Sequence, residues 1–192
     1  MKVHKVRAIK LILLLFVVIN LGCTSTYRIP DVVANNYPDS FVYDAKVGIA
    51  ITQDFKDSKY VQTTGGTEET IYFGSTLVKN TKYMLGRVFK VAQTYSSANN
   101  RTDFDLIATP KMVWFNHIMD SEIVATIAVE WEFTDKNNNL VWVETIIGEG
   151  HSPHSPFKST VDRRYAMMIN DLYTKSYLTI SNSPEINNYF SK

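Results

Sequence analysis

The chain has 192 residues, 45% hydrophobic and 20% charged, enough to bury one sizeable core and hardly two. Its 20 basic and 19 acidic residues, with 12% aromatics, exclude a disordered chain and a polybasic nucleic-acid binder. A single cysteine excludes an intrachain disulfide framework and a cysteine-based zinc cluster.

Residues 1–10 carry Lys2, Lys5, Arg7 and Lys10 and no acid, and residues 11–19 (LILLLFVVI) are uniformly apolar. Nine helical residues rise about 14 Å, whereas a bilayer span takes about 20 residues. The segment is therefore read as a signal-peptide hydrophobic region and not a transmembrane helix. Removing residues 1–22 leaves 16 basic and 19 acidic residues, a formal charge of −3. The string Ile19-Asn20-Leu21-Gly22-Cys23-Thr24 resembles a bacterial lipobox, with Asn20 and Leu21 where the pattern prefers leucine and a small residue. That resemblance implies cleavage before Cys23 and a diacylglycerol on its thiol, with two or three acyl chains in all. Such an anchor holds firmly, because each buried methylene contributes about 0.8 kcal/mol. Thr24, rather than aspartate, after the cysteine implies outer-membrane sorting. The alternative is an ordinary secretory signal with a chance cysteine near its end.

Residues 24–40 (TSTYRIPDVVANNYPDS) show no sustained period and read as a tether from the lipidated end, or as a segment packed along the domain. Residues 45–52 (AKVGIAIT) put Val47, Ile49 and Ile51 on one face, with small Gly48 and Ala50 on the other, a strand closely packed on its second side. A polar stretch with Gly65 and Gly66 follows. Thr67 with Glu68 and Glu69 predicts a helix N-terminus. Phe73, Leu77, Met84, Leu85 and Val88 then mark an apolar stripe, giving a helix over 68–87. Residues 90–95 predict a short strand and 96–102 a loop.

Residues 104–117 predict a strand apolar on both faces, with Pro110 marking an edge or a bulge. Over 122–134, Ile123, Ala125, Ile127, Val129, Trp131 and Phe133 alternate with a face containing Glu122, Thr126, Glu130 and Glu132, the pattern of a half-buried strand. The asparagine-rich turn 135–139 and residues 140–148 complete a hairpin. After the loop 151–156, Val161, Tyr165, Met168, Ile169, Leu172 and Tyr173 mark a helix of about 20 residues. Pro184 stops its continuation. The expected fold is α+β: a two-layer sandwich with a mixed four- to five-stranded sheet and two long helices on one face, in the order β-α-β-β-β-β-α. The domain is expected over 41–182, with 183–192 as a tail.

No catalytic signature is present: GxSxG, GxGxxG and phosphate-loop motifs are all missing from the sequence. His151 and His154 lack the third ligand and the helical HExxH that catalytic zinc sites use, so no metal or cofactor is expected. His117 reads as a surface residue. Glu130, Glu132 and Glu144 face one another across the hairpin in the simplest pairing, and read as a wet sheet face rather than an acid–base pair. Arg163 and Arg164 offer charge for an anionic head group, or are solvated. Ile118 and Met119 fall where a turn over 116–121 would be polar, making them candidate contacts for a partner protein or membrane, or a tip folded back on the domain.

With Cys23, the VGIAIT strand, the FGSTLVKNTKYMLGRVF helix, the DFDLIATPKMVWF strand and the VEWEFTDKNNNLVW hairpin, the chain resembles small Gram-negative outer-membrane lipoproteins. In organisation it is similar over about 41–180 to the lipopolysaccharide-assembly lipoprotein that plugs the outer-membrane translocon (LptE-like) and to YajG-like lipoproteins. The resemblance implies a non-enzymatic accessory or assembly factor, lipid-anchored in the outer membrane and facing the periplasm. Its partner would be an envelope protein complex or an outer-membrane barrel, and not a nucleic acid. The competing class is a binding module for an amphipathic ligand such as lipopolysaccharide. A lipid site should show a concave apolar patch ringed by lysine or arginine, and a scaffold a flatter patch or an open strand edge.

Overall fold

A computed structural model describes residues 24–29, 37–38, 40–64, 66–96, 100–119, 122–153 and 158–191. The described residues divide into two compact units, one of those within 24–27 and 60–71, the other of those within 28–59 and 72–191. Cys23 and the predicted signal segment lie outside the described residues.

The smaller unit is built around a three-stranded sheet in the order β1-β4-β3, from β1 (Thr24–Arg28), β3 (Lys59–Thr64) and β4 (Thr67–Tyr72). Gly66 turns β3 into β4 at φ +82°, a left-handed conformation that glycine adopts without steric cost. The opening of the expected tether, residues 24–28, is therefore a strand.

The larger unit carries the expected mixed sheet, five strands in the order β5-β2-β6-β7-β8. Strand β2 (Tyr43–Ala50) runs parallel to both β5 (Phe89–Tyr95) and β6 (Leu106–Met119). Strands β6, β7 (Glu122–Asp135) and β8 (Leu140–Pro153) form an antiparallel meander of three 14-residue strands. The close packing read from Gly48 is real: a Cβ there would lie 2.6 Å from Ile107 Cδ1 and 3.1 Å from Phe104 and Tyr95 side-chain atoms. The four-residue α1 (Gln53–Lys56) follows β2, capped by the Thr52 hydroxyl accepting from the Phe55 N–H at 3.2 Å.

The helix predicted over 68–87 is corrected at its start. Residues 67–72 form β4, and α2 spans Gly74–Val88. Thr67, Thr70 and Ile71 are β-branched and suit a strand better than a first helical turn. The carbonyl of Ser58, rather than a Thr67 cap, accepts from the Phe73 and Gly74 N–H groups at 2.9 and 3.2 Å. The predicted tail is likewise folded. After α3 (Lys158–Ser181), Ser183 caps and Pro184 opens α4 (Pro184–Phe190), whose Ile186 is buried. The Tyr43 hydroxyl lies 3.0 to 3.3 Å from Asn187 Oδ1 and the carbonyls of Ile180 and Ser181, pinning the junction of α3 and α4 to β2.

The core lies between one sheet face and the two long helices. From β7 it receives Ala125, Ile127, Val129, Trp131 and Phe133, all at 0% exposure, so the predicted alternation holds along the strand. Helix α2 contributes Leu77, Met84, Leu85 and Val88, and α3 contributes Met168, Ile169, Leu172 and Tyr173. The Tyr173 hydroxyl donates to the Leu77 carbonyl at 2.7 Å, and Trp131 Nε1–H donates to Ser176 Oγ at 3.1 Å. Helix α3 lies directly on β8, because Gly148 and Gly150 present no side chain there: a Cβ would meet Leu172 Cβ at 2.4 Å and the Arg164 carbonyl at 2.1 Å.

Candidate functional site

The meander has two faces, and a bulge decides what each carries. Register along β6 shifts between Met112 and Trp114. Before the bulge, Ala108, Pro110 and Met112 pair with Phe133, Trp131 and Val129, on the helix-covered face. Beyond it, Phe115 and His117 pair with Ile127 and Ala125 on that face, and Trp114, Asn116 and Ile118 turn outward. The extra residue reverses the parity of the strand, which is why its sequence is apolar on both sides. Pro110 lies where the parallel ladder with β2, which ends at Ile49 and Ala108, has already stopped.

On the outer face the cross-strand rows are Trp114–Ala128–Ile147 and Ile118–Val124–His151. Trp114 and Ile147 are each 40% exposed and Ile118 is 51% exposed. Val113 in the bulge and Val143 beside Glu132 extend the apolar surface. The polar groups among them are mixed: Lys111 sits 3.8 Å from Glu130, and His151 sits 3.6 Å from Glu149. Ile118 is thus a strand residue and not a turn residue, since β6 continues through Met119, which pairs with Ile123. Residues 120–121 and the Met119 side chain lie outside the described residues.

The outer edge of β8 is guarded. The Glu149 N–H donates to Asp171 Oδ2 at 2.9 Å and Lys175 Nζ donates to the Ile147 carbonyl at 3.3 Å, while Asp171 and Lys175 pair at 2.7 Å. Side chains of α3 thereby occupy backbone groups that an incoming strand would use.

The other candidates separate. Glu144 pairs with Trp131 and so shares its face, whereas Glu130 and Glu132 point outward; the three carboxylates do not converge. His154 lies outside the described residues, and among those residues no group of three metal-ligating side chains is found. A cavity of about 270 Å³ between α1 and β6 is lined by Asp54, Phe55, Thr109, Pro110 and neighbours. Its Thr52 hydroxyl caps α1 and its Ser58 hydroxyl donates to the Asp54 carbonyl at 3.1 Å, so neither is paired with a base.

His117 is half-buried, on the helix-covered face of β6. Arg163 is exposed but Arg164 is 1% exposed, donating through Nε to Ser152 Oγ at 2.8 Å and through Nη1 to His117 Nε2 at 2.6 Å. Burial, and after it the Arg164 charge, holds the His117 pKa below the usual histidine value, so its ring is the neutral acceptor of this bond. Sequence reasoning missed Trp114, Ile147 and the burial of Arg164. The consecutive apolar residues Val113, Trp114 and Phe115 were the signal for the bulge.

No family model and no curated protein sequence matches the chain. Among solved structures, a Xanthomonas campestris protein of the DUF330 family aligns at TM-score 0.56 and 12% identity, over 85% of this chain and 98% of its own. A minor lipoprotein from Acinetobacter baumannii aligns at TM-score 0.41 and 12% identity over 72% and 93% of the two chains. Lipoprotein GNA1162 from Neisseria meningitidis aligns at TM-score 0.34 and 8% identity over 83% and 99%. The last two scores are too low to argue from, so the finding is one of architecture: the chain shares its fold with the DUF330 protein of Xanthomonas.

Proposed function

We propose that this protein is an outer-membrane lipoprotein, anchored through Cys23 and facing the periplasm, that acts without catalysis as an accessory or assembly factor for an envelope complex. The carrying observation is the apolar row Trp114–Ala128–Ile147, continued by Ile118, on an open sheet face. Ala128 itself is fully buried, so the exposed apolar groups are Trp114, Ile147 and Ile118, with Val113 and Val143 near them, and an exposed apolar cluster of this kind marks a contact surface. Glu130, Glu132 and Glu149 lie among them with one lysine, Lys111. An anionic glycolipid requires the opposite charge, so the surface suits a protein partner with an apolar centre and basic or neutral edges. The outer-membrane address rests on Thr24 following Cys23, and the accessory role on the resemblance of the sequence in organisation to LptE-like and YajG-like lipoproteins.

Photo-crosslinking from positions 114 and 147 in whole cells is expected to capture one discrete envelope protein. Capture should disappear when Trp114 and Ile147 are both changed to serine, with the melting temperature preserved. A large fall in melting temperature instead means that the row is part of the domain's own packing. Cys23→Ala is expected to move the protein from the membrane fraction to a soluble or uncleaved form; unchanged fractionation refutes the anchor.

A further inference from the structure

Arg164 is a buried cation in unusual company. The residue is 1% exposed, and Nη2 is buried without a hydrogen-bond partner. Nε is committed to Ser152 Oγ, and Nη1 meets only the Nε2 of His117. The Tyr165 ring lies 5.9 Å from Cζ. Among the described residues no carboxylate pairs with it: the ion pairs are Lys90–Asp44, Lys111–Glu130, His151–Glu149 and Lys175–Asp171. A buried guanidinium without a counter-ion is strongly disfavoured unless something else compensates it. A purely structural arginine would have its fork satisfied by carboxylates or carbonyls.

We propose that Arg164, with Ser152 and His117, forms an oxyanion site that receives a carboxylate or phosphate group on the Nη1–Nη2 edge of the guanidinium. That edge is the planar fork which grips two oxygens of one anion in parallel hydrogen bonds. Ser152 fixes the plane by holding Nε from behind. His117 occupies half of the fork as a neutral acceptor and supplies no compensating charge, so an arriving anion replaces a weak partner by a strong one. It also provides the way in, because His117, unlike Arg164, is only half-buried and sits near the end of β6. Helix α3 is seated closely here, the Arg164 carbonyl lying against Gly150 of β8. The site lies on the helix-covered face, opposite the Trp114 row, and so stands or falls separately from the partner surface.

The test uses the purified protein with inorganic phosphate, acetate and glycerol phosphate as probes, against chloride at equal ionic strength. The expected result is a dose-dependent rise in melting temperature together with a shift of the Arg164 Nε–H and His117 ring resonances. The response is lost in Arg164→Met, kept in weakened form in Arg164→Lys, and strengthened in His117→Ala, where the placeholder is gone. Preference for acetate identifies a protein carboxylate as the natural occupant, and preference for glycerol phosphate a head group. Unmoved Arg164 and His117 resonances in the wild-type protein overturn the proposal, and that result does not require any variant to fold. An equal response in Arg164→Met overturns it as well.

Discussion

At the scale of single residues, the histidine beside Arg164 makes stability depend on pH. The folded-state pKa of His117 lies below the unfolded value of about 6.5, because burial and the neighbouring cation both oppose its protonation. The unfolded chain therefore takes up the proton more readily. The contribution of His117 is complete above about pH 6.5 and is lost as the pH falls through the folded-state pKa. Urea midpoints are expected to drop between pH 6.5 and 5 in the wild-type protein, and less steeply in His117→Gln, which keeps an acceptor toward Arg164 and has no proton to bind. Equal slopes in the two proteins would remove His117 from the account. The helical period places Arg164 inward, three residues after Val161 and four before Met168, while Arg163 points about 100° away. What the sequence could not show is that Ser152 and His117, on two separate strands, meet it there.

At the scale of elements, Gly148 and Gly150 set the distance between α3 and β8; Gly148 was read only as the end of a hairpin strand, and Gly150 fell beyond it. Their alternation with Ile147 and Glu149 was visible in the sequence, but its meaning requires knowing which helix covers them. Gly150→Ala is expected to destabilise the domain by about 1–3 kcal/mol, because the added methyl drives into the Arg164 carbonyl and forces the helix off the sheet. Gly86, exposed on α2, has no atom within 4 Å of a would-be Cβ. Gly86→Ala should therefore stabilise by up to about 1 kcal/mol, through helix propensity and a less disordered unfolded state. Paired thermal melts check both signs, and a destabilised Gly86→Ala would show that α2 has a neighbour there which the close-contact argument misses. The meander itself was legible because β7 is long, strictly alternating and buried on one side. The β4–α2 boundary was not, since Phe73 and Leu77 continue the apolar stripe while the β-branched residues before them are strand formers.

At the scale of the molecule, the five-stranded sheet and its two long helices follow from long periodic segments, whereas the three-stranded sheet follows from short polar ones. Strands β1, β3 and β4 have only five or six residues each, and most of their described side chains are exposed or half-buried. Such strands carry little hydrophobic signal, so residues 24–28 were read within a tether, the segment up to Gly66 as a polar stretch, and 68–72 as the start of a helix. The same property that hid them predicts how they behave. A strand with few buried apolar contacts opens locally at a small fraction of the global unfolding free energy. The inner side chains of β7 are fully buried and tied to α3 through Trp131 and Ser176. Hydrogen exchange is therefore expected to be fastest along β1, β3 and β4, and slowest along β7 and over residues 168–177 of α3. Sub-denaturing urea should accelerate the second group but leave the first nearly unchanged, because opening the small sheet exposes little surface. If both groups exchange at one rate with one urea dependence, the two units unfold as a single cooperative body and the exposed strands owe their order to the whole domain.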